Sequence, residues 1–141
     1  MPRNAMISIR MPDETRDQLE ATAEARGETR SALTQRYIDE GLRMDRHPGI
    51  VFRAGPAGRR PGLAGGPDVW EVVRVTRNVE ARGDKAIAEA ASWLGLSATQ
   101  VRISTEYYAD YPGEIDAWLA KVDAQAVEAE ELFRRRQEVL R

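Results

Sequence analysis

The sequence predicts a mainly α-helical protein of α+β class. It reads as a short strand and two helices, a Gly/Pro-rich wing or linker, a helix pair and a long terminal helix. Three observations predict this order. Apolar residues alternate over residues 5–11, and alternation is the mark of a half-buried strand. Later stretches space their apolar residues by three and four, the helical period. Between them lies HPGIVFRAGPAGRRPGLAGGPD, residues 47–68, which is too rich in glycine and proline for a helix.

In the alternating run Ile7, Ile9 and Met11 point one way and Met6, Ser8 and Arg10 the other. Pro12 ends the run, and Asp13 and Glu14 suit the first turn of a helix, where the dipole favours negative charge. That helix runs to about Arg26, and Gly27 can take the left-handed conformation that closes it. Thr29 can cap a second helix from about Arg30 to Arg43. Its Leu33, Tyr37, Ile38 and Leu42 recur at helical spacing. A lone strand of this length is not stable in water, and nothing nearby in sequence offers a second. The same strand from another copy of the chain is the simplest partner.

The run ISIRMPDETRDQLEATAEARGETRSALTQRYIDEGLR resembles the ribbon-helix-helix repressors of the Arc, MetJ and CopG kind. The resemblance implies a homodimer whose two strands pair into an antiparallel ribbon that enters the major groove of double-stranded operator DNA. By position, Met6, Ser8 and Arg10 become the base-reading residues. Arg10 can bond guanine with two hydrogen bonds, Ser8 can donate or accept, and Met6 can touch a thymine methyl. Backbone N–H groups around Thr29, Arg30 and Ser31 would anchor phosphate. The chain departs from the family at Thr15, Thr22 and Thr34, where larger aliphatic residues are usual, and at Glu28, whose charge opposes a phosphate beside it.

In residues 47–68, Ile50, Val51 and Phe52 read as a short strand. Arg53, Arg59 and Arg60 make the segment basic, and they are candidate phosphate contacts if it forms a hairpin wing. A plain interdomain linker is the other reading. The glycines do not match G-x-x-x-x-G-K-[ST], so they form no phosphate-cradling loop of that type. His47 is the single histidine; beside a proline, it reads as a surface loop residue.

Val69, Trp70, Val72, Val73 and Val75 fit either a short helix or a strand. Ala86, Ile87, Ala90, Trp93 and Leu94 then line one face of a helix that Gly95 stops. Ser97 can cap the next, which carries Val101, Ile103 and Tyr108. The stretch AEAASWLGLSATQV resembles a helix-turn-helix. Residues 47–119, with VWEVVRV, LGLSATQVR and YYADYPGEIDAWLA, resemble the C-terminal small winged-helix module of a bacterial antitoxin-like family (VapB type), common beside toxins of the PIN nuclease type. The second helix of the pair presents Gln100, Arg102 and Glu106, hardly a basic groove-reading face. A dimerisation or packing role is preferred for it over a second DNA reader.

Pro112 can occupy the first turn of the terminal helix. Ile115, Trp118, Leu119, Val122, Ala126, Ala129 and Phe133 recur along it, and Arg134, Arg135 and Arg136 fall late, where cations suit the dipole. Val122, Leu132, Phe133, Val139 and Leu140 form a candidate partner-binding surface, since an apolar stripe at this spacing suits a partner's groove. The chain so divides into residues 1–46, residues 47–119 and a terminal arm of residues 120–141.

Composition narrows the function classes. The 141 residues carry 21 basic and 23 acidic side chains, a net −2, so no global field advertises nucleic acid. The distribution is uneven: residues 1–47 sum to −1, residues 48–83 to +3 and residues 84–141 to −4. Arginine supplies nearly all the basic charge, which suits two-pronged contacts to phosphate or guanine. With one histidine and no cysteine, the usual nucleophile sets cannot be built. No metal-ligand spacing stands out, and no enzymatic activity, cofactor or metal is expected. The N-terminus lacks a long apolar run of the secretory kind, and no stretch reaches the length of a membrane span, so the expected location is the cytoplasm with no membrane partner. Together the resemblances imply the antitoxin of a bacterial type II toxin-antitoxin system. It would repress its operon through operator DNA and neutralise a cognate PIN-like nuclease toxin through its C-terminal region. One alternative is a stand-alone ribbon-helix-helix repressor with a C-terminal oligomerisation or sensing module. Another is a helical interaction protein with no DNA role.

Overall fold

The computed structural model describes residues 3–141 and is mainly helical, with one small antiparallel sheet. The chain forms two compact units, one reaching to Arg43 and one spanning Met44–Arg141.

In the N-terminal unit, α1 (Asp13–Arg26) begins after Pro12, carries Asp13 and Glu14 in its first turn and ends at Gly27 with φ 65° and ψ 29°. The Gly27 and Glu28 amides donate back to the Glu24 and Ala23 carbonyls at 3.1 and 3.0 Å, closing the helix end in the way a left-handed glycine permits. Helix α2 (Arg30–Arg46) starts where the Thr29 hydroxyl accepts from the Ala32 amide at 3.0 Å. It runs past the expected end at Arg43 and stops one residue short of His47, which precedes Pro48 and is therefore steered away from the helical region. Residues 3–12 form no helix and no ladder. The strand expected at residues 5–11 is thus not formed within one chain, because a strand exists only by pairing.

Two of the three threonines named above, Thr22 and Thr34, are satisfied locally. Thr22 and Thr34 donate to the carbonyls of Gln18 and Arg30 one turn earlier, at 2.8 and 2.7 Å. Glu28 is paired with the Arg36 guanidinium, so its charge does not stand alone beside the start of α2.

In the C-terminal unit, β1 (Ile50–Arg53) pairs with β2 (Arg60–Leu63) from Ile50↔Leu63 to Arg53↔Arg60. Residues 47–68 are therefore a hairpin, not a plain linker. Valines 69 to 75 resolve as helix: α3 spans Val69–Asn78, opened by a capping box in which Asp68 and Glu71 bond each other's backbone. Helix α4 (Asp84–Leu94) ends at Gly95 with φ 66°. Helix α5 (Ala98–Asp110) opens with a second box, Ser97 and Gln100, and α6 (Pro112–Val139) follows with proline in its first turn. Of the expected arm, residues 120–139 continue α6 without a break, and the helix ends at Val139. The core gathers Ile50, Leu63, Val69, Val72, Val73, Ala90, Ala91, Val101, Tyr107 and Ile115.

Two expectations are corrected here. Trp93 is 76% exposed, and Ala91 is buried instead: Ile87, Ala91 and Leu94 centre the apolar stripe of α4, and Trp93 lies past its edge. His47 is not a surface loop residue but 8% exposed. Its Nε2 lies 2.8 Å from an Asp110 carboxylate oxygen, and the rings of Tyr107 and Tyr111 meet it edge-on at 5.2 and 6.0 Å. The residues that cover it are sixty or more positions away in sequence, out of reach of any local pattern.

Candidate nucleic-acid interface

The N-terminal unit is where side chains capable of reading DNA meet an unfinished core. Its buried apolar residues are Ala23 and Leu33. Around them Ile9, Ile38 and Leu42 remain 63%, 53% and 65% exposed. An open groove of about 910 Å³ runs between residues 3–11 and the two helices, lined on one wall by Ile7, Ile9 and Met11 and on the other by Leu19, Thr34 and Ile38. A smaller hollow of about 460 Å³ adjoins it, and Thr15, Thr22 and Tyr37 line that one. Leaving this much apolar surface to water is costly, at roughly 25 cal/mol per Å².

The two faces of the N-terminal segment alternate only over residues 7–11, because Arg3 to Ile7 line the groove without a break. Ile7, Ile9 and Met11 line the groove. Ser8 and Arg10 are exposed and lie outside its lining. Met6 departs from the alternation: it lines the groove, though it is 93% exposed.

At the start of α2 the three candidate phosphate anchors are grouped by the helix end itself. Thr29 spends its hydroxyl on the cap, Arg30 reaches across to Glu20 on α1 at 2.7 Å, and the Ser31 hydroxyl accepts from Gln35 at 3.2 Å. What remains for an anion is the positive end of a helix dipole.

The hairpin arginines have different work. Arg53 donates to Asp68 at 2.9 Å, to the Gly66 carbonyl at 2.6 Å and to the Leu63 carbonyl. Arg60 donates to the second Asp68 oxygen, and the Trp70 indole N–H reaches the same oxygen at 3.2 Å. Asp68 is 6% exposed, so these guanidinium groups neutralise a buried carboxylate and hold the hairpin to the start of α3. Arg53 and Arg60 are therefore engaged as structural cations, and a phosphate would have to compete with Asp68 for them. Arg59 donates to the Phe52 carbonyl at 3.4 Å across the hairpin. Sequence reasoning missed the Asp68 hub, although the pattern Asp68-x-x-Glu71 ahead of a valine-rich run is a legible helix start.

A polar clasp joins α3, α5 and α6. Arg77 bonds the Tyr108 hydroxyl and reaches Asp116 at 3.0 Å, and Tyr108 donates to Asp116 at 3.0 Å. Burial of the Tyr108 phenol, helped by that hydrogen bond, raises its pKa above the ordinary 10.0, with Arg77 opposing.

On α6, Ile115 is buried and Trp118, Leu119 and Val122 are half-buried against the unit. Beyond them Leu132, Phe133, Val139 and Leu140 are 48% to 84% exposed. The candidate partner-binding residues are thus divided: Val122 belongs largely to the fold, and the other four face solvent. Among the described residues no cluster of His, Asp or Glu side chains could hold a metal ion, and no helix is long and apolar enough to cross a membrane. Comparison with models of known families, with curated proteins and with solved structures finds no match.

Proposed function

We propose that the protein is a dimeric DNA-binding regulator of ribbon-helix-helix type, and that it serves as the antitoxin of a toxin-antitoxin pair. One observation carries the reading: over residues 7–11 a single segment turns Ile7, Ile9 and Met11 to an open groove and leaves Ser8 and Arg10 outside it. A second copy adding its own segment alongside would complete a strand pair and close the groove. It would also set two Arg10 side chains on one outer surface, where a two-stranded ribbon fits the major groove. The hairpin followed by α3, α4 and α5 is compatible with a small winged-helix module, and the exposed stripe late in α6 supports a protein partner such as a toxin. Repression of the chain's own operon and toxin binding follow from the resemblance and rest on it.

The test is DNA affinity at matched salt. Arg10→Ala lowers affinity for the operator by about 1–3 kcal/mol per lost base contact and leaves affinity for random DNA nearly unchanged. Equal losses on both DNAs would reduce Arg10 to a phosphate contact, and no loss on either removes the interface. Co-purification from the native operon reports the toxin half of the proposal.

A further inference from the structure

The second half of α6 is exposed along its whole length, yet its charges are sorted rather than mixed. From Asp123 to Glu131 the helix carries four acidic residues and no basic one; from Arg134 to its end at Val139 it carries three arginines against the single acid Glu138, and Arg141 follows just beyond. The one ion pair bridging the two blocks, Arg135 to Glu131, is long at 4.0 Å and exposed, so it contributes little. A helix acidic in one half and basic in the other is complementary to an antiparallel copy of itself.

The apolar stripe agrees with that polarity. Continuing the seven-residue spacing of the buried Ile115 places Val122, Ala129 and Arg136 in one row, and Gln125, Leu132 and Val139 in the row beside it. A parallel partner in register would stack Arg136 on Arg136 inside the seam. An antiparallel partner instead sets Ala129 against Leu132 of the second copy and Gln125 against its Arg136, which can share a hydrogen bond. The same register brings Glu128 against Arg135 on one flank, twice by symmetry, and Ala126 against Phe133 on the other. It also carries Val139 and Leu140 of the second copy to the half-buried Val122 and Leu119, so the seam continues the edge of an existing core.

We infer that α6 is a self-recognition surface: residues from about Val122 onward pair antiparallel with the same helix of a second copy of this chain. This contact does not depend on the DNA-binding reading and uses none of its residues. Any other protein that takes the stripe has to displace this copy.

The chain has no cysteine, so introduced thiols report on the geometry in the full-length protein. Oxidation of an equimolar mixture of Ala129→Cys and Leu132→Cys chains is expected to give the mixed disulfide in about tenfold excess over either homodisulfide. Glu128→Arg, placed in both chains, replaces two attractions with two repulsions and slows that cross-link by about tenfold. Adding Arg135→Glu to it restores the rate, while circular dichroism shows all variants equally helical. Repeating the cross-link in Ile9→Asp chains separates this contact from the N-terminal one: the mixed disulfide persists even where DNA binding is lost. A dominant Ala129→Cys homodisulfide, which signals a parallel pair, would overturn the inference. So would absence of any cross-link in the purified chain, or cross-linking indifferent to the Glu128 and Arg135 charges.

Discussion

The two units are similar in helical content and opposite in self-sufficiency. The C-terminal unit has a contiguous apolar cluster in which Val69, Val72, Val101, Tyr107 and Ile115 are all completely inaccessible to solvent. The N-terminal unit buries Ala23 and Leu33, together with the carboxylate-bearing Glu40, while Ile9, Ile38 and Leu42 stay largely exposed. Units this small rarely fold alone, because surface outweighs interior. The difference locates where the proposed second copy would act: one unit closes its own core, and the other leaves Ile9, Ile38 and Leu42 open. Exposed apolar residues scattered singly need no explanation, but a groove lined by them on both walls does.

The largest expected effect falls on the open half. Ile9→Asp is expected to abolish association through the N-terminal unit, because pairing would bury a carboxylate from each copy, at several kcal/mol apiece. Sedimentation would show loss of that contact, and the helical signal of α1 and α2 would fall with it, while near-ultraviolet dichroism of Tyr107 and Trp70 stays unchanged. An Ile9→Asp chain that associates as before would mean the groove is not an interface between copies.

The matching change in the closed half behaves differently. Tyr107→Ala empties the centre of the C-terminal core, where Tyr107 is 0% exposed and its hydroxyl donates to Glu114 at 2.8 Å. A loss of about 3–5 kcal/mol is expected. The loss relative to the parent chain should be the same at every protein concentration, since the lost contacts are internal to one unit. A loss that shrinks as concentration rises would erase the distinction between the two halves.

What the sequence made legible was what short-range chemistry decides. Pro12, Gly27 and Thr29 bracket α1 and α2, and Gly95 and Ser97 separate α4 from α5, because a cap or a left-handed glycine acts within one turn. Features that depend on distant residues were not legible. His47 is buried by Tyr107 and Tyr111, and Arg53 and Arg60 are claimed by Asp68. Nothing in the sequence around these residues announces such partners. Trp93 shows a third kind of miss, since spacing gives the direction of a helical stripe but not its width. The strand expected at residues 5–11 is a further kind of miss: alternation marks a segment that could pair, and within one chain it finds no strand to pair with.

The smallest effect tests what makes the C-terminal unit self-sufficient at its edge. A two-stranded hairpin is marginal by itself in water, and β1–β2 is held by the ion pairs of Arg53 and Arg60 with Asp68 as well as by the apolar core. Asp68→Asn keeps an oxygen to accept the first amides of α3 but removes the charge. The side chains of Arg53 and Arg60 are 32% and 28% exposed, so both can turn partly toward water when the carboxylate is gone. The cost is therefore expected below the full penalty of a broken buried pair, at about 1–3 kcal/mol. Asp68→Ala should add about 1 kcal/mol by removing the cap as well. Hydrogen exchange localises the change. The Leu63 and Ala64 amides, which donate to Pro67 and Gly49 at 2.9 Å, should exchange faster in Asp68→Asn, while Val101 and Tyr107 amides in α5 lose protection only as far as global stability falls. Unchanged exchange at Leu63 and Ala64 would show that the core alone holds the hairpin, and would return Arg53 and Arg60 to the list of cations available to a ligand.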